Sequence, residues 1–396
     1  MHRRVAHLVG VLLVIVSAAP SAQDISRCLA SLRPQAVKAG VSAAAFDRHT
    51  RAVVADPTVL ERLDYQPEFR TAIWDYLAGL VDEERVTDGR RMLVEWRDTL
   101  AAVEARFGVD PATVVAVWGV ESDYGRRAGG RPLVTSLATL SCLGRRQSFF
   151  RRELLATIAI LEELGLDTDA LVGSWAGAFG QTQFIPTTYQ RVAVDFDGDG
   201  RRDLVGSVPD ALGSTASYLE RSGWRSGERW GLEVVLPRGF DPATAGRRNR
   251  RPLGEWAAMG VRPVDGGALP DSSSPAAVLL PAGPDGPAFL VLRNFDAIYA
   301  YNAAESYALA IAHLSDRLRG AGPFVRPWPT DDPGLSRRER RELQQRLVGR
   351  GHDIGEVDGL IGDRTRRAIQ AEQRRLGLEP DGRAGQRILE ALRAGG

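Results

Sequence analysis

The sequence predicts a mainly α-helical (α+β) protein: a helical core with a small β-rich insert, followed by a small helical module. Apolar residues recur at three- and four-residue steps through most of residues 23–223, as expected of amphipathic helices. From about residue 224 to 292 the pattern changes to short apolar runs between Pro- and Gly-rich turns, which is typical of strands. The 396 residues are enough for two or three domains with cores of their own.

Composition excludes several classes of protein. Hydrophobic residues make up 44% of the chain and charged residues 26%, as in ordinary globular proteins. The net charge is +1, so the chain has no overall field that would attract nucleic acid, and we expect no nucleic-acid partner. The histidines show no metal-ligand spacing, which argues against a metalloenzyme.

The N-terminus has the parts of a secretory signal. Arg3 and Arg4 provide the positive end, residues 8–16 the apolar run, and residues 17–22 the small side chains that precede cleavage. The apolar run is too short to span a bilayer comfortably, and no later segment is apolar enough to do so. We therefore predict a signal peptide over residues 1–22 and a mature chain that is periplasmic and has no transmembrane segment.

Two cysteines, Cys28 and Cys142, remain after that cleavage. In an oxidising compartment an even number of cysteines commonly forms disulfides. The alternative is a pair of buried thiols, because a sequence does not report the distance between them. We expect a disulfide.

Residues 114–125, VVAVWGVESDYG, form an apolar helical run with one carboxylate, Glu121, near its end. Asp110 is placed as an N-cap, Pro111 as the first helical residue and Gly125 as the residue that stops the helix. A carboxylate shielded from water has a raised pKa and keeps its proton near neutral pH, as a glycoside-cleaving acid must. The alternative is a solvated glutamate at a frayed helix end.

The next informative stretch is residues 173–189, GSWAGAFGQTQFIPTTY. Its glycines and other small residues permit close backbone approach, and hydrogen-bonding side chains, among them Ser174 and Gln183, stand between them. Neutral amides, hydroxyls and aromatic faces are the groups that bind sugars. A plain glycine-rich turn between helices is the alternative interpretation.

These two motifs resemble those of the membrane-bound lytic transglycosylase B family, lysozyme-like enzymes that cleave bacterial peptidoglycan. The resemblance continues through Asp195–Gly223 and Tyr301–Tyr307 and covers nearly all of residues 25–320. It implies a lysozyme-like catalytic domain over residues 23–319, with the β-rich insert at about 224–292. It also implies that peptidoglycan glycan strands are the partner.

The resemblance implies one acid with two tasks, because the cleft motifs contain no second carboxylate of the kind a hydrolase needs. Glu121 would protonate the bond between N-acetylmuramic acid and N-acetylglucosamine, then act as base while the muramyl 6-hydroxyl closes to a 1,6-anhydro end. The substrate-binding residues would be Ser174, Gln183, Tyr218, Asn302 and Tyr307. From spacing alone, Tyr218 fits a core aromatic and Asn302 a helix cap. A muramidase-type hydrolase and a non-catalytic wall-binding scaffold are the alternative functions.

Residues 195–203, DFDGDGRRD, have the pattern of a calcium-binding loop. Its first, third and fifth positions are Asp195, Asp197 and Asp199, and Arg201 would offer its carbonyl oxygen. The closing acid is missing, since position twelve is Gly206. The resemblance implies a structural Ca²⁺ site in which Asp210 supplies the late ligand, and no cofactor for the chemistry. The alternative is an Asp/Gly-rich turn that caps a helix.

Residues 320–334 are rich in Pro and Gly and are predicted to be a linker. Residues 335–396 follow with their own apolar pattern, and the motif VDGLIGDRT resembles the loop of a three-helix peptidoglycan-binding domain. The alternative is a small helical domain with an unknown partner. We expect the whole protein to be a monomer.

Overall fold

The computed structural model describes residues 22–64, 71–269 and 272–395. The predicted signal peptide lies outside the described residues except for Ala22, and it stays a prediction. In chain order the helices are α1 (Ala22–Lys38), α2 (Ala43–Thr50), α3 (Thr58–Glu61), α4 (Ile73–Leu80), α5 (Glu83–Glu95), α6 (Arg97–Phe107), α7 (Pro111–Ser122), α8 (Leu133–Leu143), α9 (Gln147–Leu164), α10 (Pro186–Val192), α11 (Val208–Arg221), α12 (Leu253–Ala258), α13 (Arg293–Asn302), α14 (Glu305–Leu318), α15 (Arg337–Gly349), α16 (Asp363–Arg375) and α17 (Gln386–Arg393). The strands are β1 (Arg131–Pro132), β2 (Val172–Gly173), β3 (Gly231–Val235), β4 (Arg251–Pro252), β5 (Arg262–Pro263), β6 (Pro275–Leu279) and β7 (Ala288–Val291).

This architecture confirms a mainly helical protein with a small sheet and a helical C-terminal module. None of the described helices has both the length and the apolar character needed to cross a bilayer.

Helix α7 is the centre of the main hydrophobic core. Asp110 caps it by accepting a hydrogen bond from the Thr113 N–H at 2.9 Å, and Pro111 occupies the first turn, as predicted. The helix is apolar all round and packs against α5, α11 and α14. It ends at Ser122 rather than at Gly125, because Asp123 already has a left-handed backbone. The predicted stop at Gly125 was wrong.

A five-stranded antiparallel sheet forms the β-rich insert, with strand order β4-β6-β7-β3-β5. Successive residues of its central strands point to opposite faces. Ala288 and Leu290 of β7 pack with Trp256 in a core that belongs to the insert. Phe289 and Val291 of the same strand pack into the main helical core. The sheet is therefore shared between two cores, which ties the insert firmly to the helices.

The apolar pattern over residues 89–107 is that of one continuous helix, but the structure divides this segment between two helices. Helix α5 ends at Glu95, Trp96 has φ −104° and ψ 23°, and α6 begins at Arg97. Both halves keep helical apolar spacing, so the break leaves no clear trace in the sequence pattern.

Helices α1 and α8 are joined by a disulfide. The structure pairs Cys28 with Cys142, whose Cα atoms lie 5.8 Å apart. Both helices belong to a second hydrophobic core, formed with α2 and α9.

The predicted linker, residues 320–334, contains neither helix nor strand. It packs against the sheet through hydrogen bonds and ring contacts. The Glu233 carboxylate accepts hydrogen bonds from the backbone N–H groups of Val325 (2.7 Å) and Arg326 (2.8 Å). The Phe324 ring stacks on that of His313, with ring centroids 3.8 Å apart, and packs at a tilt against that of Phe289, with centroids 4.6 Å apart. The C-terminal module, whose helices α15–α17 enclose a small apolar core, is thereby attached over a short and well-packed connection.

His313 beneath this linker makes stability depend on pH. Burial, with a contribution from Arg317, lowers the pKa of His313 to about 3, far below the ordinary 6.5. A folded-state pKa below the unfolded value favours folding above pH 6.5, and this contribution is lost as the pH falls from there toward 3. Between pH 7 and pH 5 we expect the loss to be about 2 kcal/mol.

Urea unfolding of the wild type and of His313→Gln at both pH values measures this loss. The glutamine variant should show the smaller decrease in the free energy of unfolding. Equal decreases in the two proteins would contradict the assignment.

Candidate active site

Glu121 lies in the last turn of α7, half-buried, and its carboxylate is held by a tyrosine from a neighbouring helix. The Tyr307 hydroxyl donates a hydrogen bond to Oε1 of Glu121. Tyr307 is on α14, which packs against α7, and only 3% of the residue is exposed. The packing of two core helices therefore fixes the acid and its hydroxyl partner together.

Two phenols beside this carboxylate stay protonated. Burial raises the pKa of Tyr307 well above its ordinary value, and the negative charge of Glu121 raises it further. Burial and the same charge act on the pKa of Tyr301 in the same direction. Since a protonated phenol donates and does not titrate near neutral pH, Tyr307 remains a hydrogen-bond donor to Glu121.

A continuous row of packed aromatic rings extends from Tyr307, and two of its rings, those of Tyr218 and Tyr301, are partly exposed. Tyr301 lies 6.3 Å from Tyr307 and 4.7 Å from Tyr218 between ring centroids. Phe184 contacts both Tyr218 (5.9 Å) and Tyr301 (5.7 Å). Tyr218 is half-buried and donates its hydroxyl to the Ala300 carbonyl at 2.6 Å. We call Phe184, Tyr218, Tyr301 and Tyr307 the aromatic wall.

The glycine-rich loop between β2 and α10 is a tight hairpin that its small residues make possible. The Ser174 N–H donates to the Ala178 carbonyl at 2.7 Å, and the Ser174 hydroxyl accepts from the Ala178 N–H at 3.0 Å. A Cβ on Gly173 would lie 2.2 Å from the Ala178 oxygen, so a larger residue would disrupt the hairpin. Ser174 thus has a role in shaping this loop, and its predicted substrate contact stays a prediction.

Gln183 is the second predicted polar residue of this loop. Its Nε2 donates to the carbonyl oxygens of Ala128 and Gly180, each at 2.8 Å. The residue is half-buried, has a positive φ of 51° and precedes Phe184 of the aromatic wall. Its side chain therefore stabilises the loop beside the aromatic wall.

Two hydroxyls that sequence reasoning missed hold this loop, one from α7 and one from α13. The Ser122 hydroxyl donates to the Gln181 carbonyl and accepts from the Gly125 N–H at 2.9 Å. The Tyr301 hydroxyl donates to the Thr182 carbonyl at 2.7 Å. Both residues stand next to predicted ones, Glu121 and Asn302, but only the fold shows that they meet the loop.

Asn302 is exposed and is the last residue of α13. Ala303 follows with a left-handed φ of 51°, which ends the helix. The position next to Tyr301 places Asn302 near the aromatic wall, and its contact with substrate stays a prediction.

Asp123 is the acid closest to Glu121 in sequence, and its carboxylate binds arginine side chains. Arg337 donates to its Oδ1, and Arg126 donates to its Oδ2 at 3.1 Å. Burial by itself raises the pKa of Asp123, but these arginines outweigh it and hold that pKa below the ordinary value. An ionised carboxylate bound in this way is not placed to serve as the second acid of a hydrolase.

Three of the predicted calcium ligands form a cluster. Asp195, Asp197 and Asp210 each offer a carboxylate oxygen, and these oxygens all lie within 4.8 Å of one another. Asp210 is fully buried; burial raises its pKa, and the negative charge of Asp197 acts in the same direction. Asp199 lies on the same turn but outside this cluster of carboxylates, and its Oδ1 accepts a hydrogen bond from the Arg201 N–H at 2.8 Å.

An all-oxygen set of crowded carboxylates fits a hard divalent cation such as Ca²⁺, because such an ion offsets their mutual repulsion. The places of Asp199 and Arg201 as ligands stay predictions.

The fold and this site define a class of enzyme. Residues 24–316 match the family described as Transglycosylase SLT domain, and residues 336–392 match a family of peptidoglycan binding domains. The first match covers well over half of the chain, so the chain belongs to the transglycosylase SLT domain family.

Particular relatives share most of its length. SltB3 from Pseudomonas aeruginosa, solved in complex with NAG-anhNAM-pentapeptide, is 49% identical, with a TM-score of 0.75 over 94% of this chain and 100% of that one. The lytic transglycosylase Slt35 from Escherichia coli, solved in complex with calcium, is 27% identical, with a TM-score of 0.65 over 75% of this chain and 92% of that one.

The membrane-bound lytic murein transglycosylase B of Escherichia coli (strain K12) is 32% identical over 60% of this chain, and the match spans 65% of that relative's length. These likenesses confirm the expected lysozyme-like helical fold and its C-terminal module.

Proposed function

We propose that this transglycosylase cleaves the β-1,4 bond between N-acetylmuramic acid and N-acetylglucosamine in peptidoglycan, without water, and leaves a 1,6-anhydro end. The observation that carries the proposal is Glu121, a carboxylate at the end of a buried helix, held by the Tyr307 hydroxyl beside an aromatic wall. The binding of NAG-anhNAM-pentapeptide by SltB3, the relative at 49% identity, supports the same substrate class.

Glu121 acts twice. As an acid it gives its proton to the glycosidic oxygen, so the bond from C1 breaks and the N-acetylglucosamine 4-hydroxyl leaves. As a carboxylate it then takes the proton from the muramyl 6-hydroxyl, whose oxygen bonds to C1 and closes the 1,6-anhydro ring. Atoms balance without an added water, and Glu121 ends protonated for the next cycle.

Tyr307 orients this residue through both steps. Its hydroxyl donates to one carboxylate oxygen, and its raised pKa keeps it from becoming a competing acid. Holding a reacting group in one geometry lowers the barrier because the entropy of alignment is lost in advance.

In this proposal the sugar rings lie against the two half-buried rings of the aromatic wall, Tyr218 and Tyr301. Tyr218 presents a half-buried ring whose hydroxyl is already fixed by the Ala300 carbonyl. Ser174, Gln183 and Asn302 border the cleft and orient the 2-acetamido group. The glycan strand is also held by the C-terminal module, whose match to peptidoglycan binding domains supports that role.

A water-using muramidase is the rival reaction, and its product differs. Incubation of purified sacculi with the mature protein, followed by mass spectrometry of the released muropeptides, separates the two. Anhydro ends are lighter by one water than reducing ends. Release of reducing ends alone would overturn the proposal, as would binding to sacculi without any turnover.

We also propose that the protein acts in the periplasm as a monomer after removal of residues 1–22. The disulfide between Cys28 and Cys142 supports an oxidising compartment.

Asp195, Asp197 and Asp210 would hold a structural Ca²⁺, which would join the loop before α11 to that helix and take no part in the chemistry. With Ca²⁺ at about 100 times its Kd the linkage adds about 2.7 kcal/mol. We therefore expect EGTA to lower the Tm of the calcium-loaded protein by about 5 °C.

Two variants make this test specific. Asp210→Asn should abolish the response to Ca²⁺, because it removes the buried charge from the cluster. Asp241→Asn is the control and should retain the response to Ca²⁺, because Asp241 lies outside the cluster, as the N-cap of the short 3-10 helix Pro242–Thr244. A Tm that EGTA leaves unchanged would favour the turn without a metal.

A further inference from the structure

The turn that directly follows Glu121 has an unusual backbone. Asp123 (φ 54°), Tyr124 (φ 59°) and Gly125 (φ 83°) are left-handed in succession. Only glycine adopts this region freely; Asp tolerates it, and Tyr does so at a cost. Such a backbone persists where its surroundings hold it in place.

Tyr124 is held by the helices on either side. Its hydroxyl donates to the Arg85 carbonyl at 2.8 Å, and its ring meets Trp118 edge-on at 5.7 Å. A Cβ on Gly119 would lie 2.7 Å from that ring, so the ring lies flush against the catalytic helix. The side chain of Tyr124 thus supports the turn from the catalytic domain.

Asp123 is held from the C-terminal module. Arg337, the first residue of α15, donates through one terminal nitrogen to Asp123, while its Nε and other terminal nitrogen donate to Asp82 at 2.9 and 3.1 Å. Asp82 is the N-cap of α5 and also accepts from the Arg85 N–H at 2.8 Å. One guanidinium therefore joins the end of the catalytic helix to the start of α5.

The buried charges in this cluster balance only when the module is present. Asp82, Asp123, Arg85 and Arg337 are each less than 10% exposed. Without Arg337 the two buried carboxylates keep one buried arginine, whose terminal nitrogen lies 3.6 Å from Asp123, and the more exposed Arg126. A buried carboxylate that loses its partner draws in water or moves, so the turn loses its anchor.

We infer that Arg337 is a positioning residue for the transglycosylase reaction: by pairing with Asp123 it fixes the turn behind Glu121. The C-terminal module is then part of the framework that orients the catalytic carboxylate, in addition to any binding of the wall. The inference rests on the proposed role of Glu121 as acid and base.

Loss of a positioning residue and loss of a binding residue change different kinetic constants. Loss of a binding module raises KM on sacculi, whereas a displaced carboxylate lowers kcat on any substrate. A displacement of about 1 Å at a reacting group costs on the order of 100-fold. A short glycan, the tetrasaccharide (GlcNAc–MurNAc)₂, reports kcat with little contribution from a distant wall-binding site.

The experiment measures anhydro-product formation from this tetrasaccharide by the full mature chain. For Arg337→Ala we expect kcat to fall by about 10- to 100-fold and KM to stay within about twofold. Arg337→Lys, which restores the charge, should recover part of the loss. Arg341→Ala should match the wild type, because Arg341 lies on the same helix and pairs across the same interface with Glu84, away from Asp123.

Asp123→Asn isolates the ion pair from the docking of the module. Asn adopts the left-handed region readily, and Asp82 still binds Arg337 in this variant. We expect a similar loss of kcat in Asp123→Asn. The double variant Arg337→Ala/Asp123→Asn should lose no more than Arg337→Ala, because both changes remove the same Arg337–Asp123 interaction. If Arg337→Ala does not fold, Asp123→Asn and Arg337→Lys decide the question.

Glu121→Gln, assayed in parallel, separates the two levels of the proposal. Wild-type kcat in Arg337→Ala or in Asp123→Asn, with an inactive Glu121→Gln, would overturn the role of Arg337 alone. An active Glu121→Gln would overturn the proposed function.

Discussion

Glu121→Gln is expected to abolish the release of anhydromuropeptides from purified sacculi and to leave the fold intact. Glutamine has nearly the same shape and still accepts the hydrogen bond from Tyr307, but it has no proton to give and is no base. Each acid or base role contributes about 10² to 10⁴ in rate, and Glu121 performs both, so we expect a fall of at least about 10³-fold.

Mass spectrometry of the released fragments measures this effect, and the Tm establishes that the variant is folded. Glu104→Gln is a matched control, since Glu104 is an exposed residue on α6. It should release anhydromuropeptides at the wild-type rate. Full activity of Glu121→Gln would rule out its role as acid and base.

Loss of the disulfide is expected to have the largest effect on stability. The double variant Cys28→Ser/Cys142→Ser frees a loop of 114 residues in the unfolded chain. A disulfide that closes a loop of this length stabilises the folded protein by about 2–5 kcal/mol, because without it the unfolded chain has more conformational entropy to lose on folding. Urea unfolding at neutral pH should show a midpoint shifted to lower urea for this variant.

Wild-type protein unfolded under reducing conditions serves as the comparison and should behave like the double variant. Both should differ from the oxidised wild type by the same amount. Equal midpoints for all three would show that the bridge adds nothing to stability.

The connection between the transglycosylase domain and the C-terminal module is packed against the transglycosylase domain, and this packing bears on the proposed role of Arg337. The segment over residues 320–334 has the composition of a flexible spacer, yet Glu233 binds its backbone and His313 stacks on Phe324. A bound connection keeps Arg337 within reach of Asp123. A freely moving module would not hold that contact for long, since reordering the linker each time costs entropy.

The sequence by itself determined the parts of the protein that depend on neighbours in the chain. Asp110 and Pro111 mark the start of α7, apolar spacing marks its burial, and the motif around Glu121 identifies the family. The strands of the insert and the helical character of the C-terminal module were also predictable from local pattern.

Only the tertiary structure decided which distant groups meet. Tyr307 reaches Glu121 because α14 packs on α7, and Arg337 reaches Asp123 because the C-terminal module is bound beside the end of that helix. The left-handed turn after Ser122 likewise ended α7 before the glycine that a local rule selects. Periodicity and capping report contacts within a few residues, whereas these interactions join residues about 200 positions apart, and their geometry comes from packing.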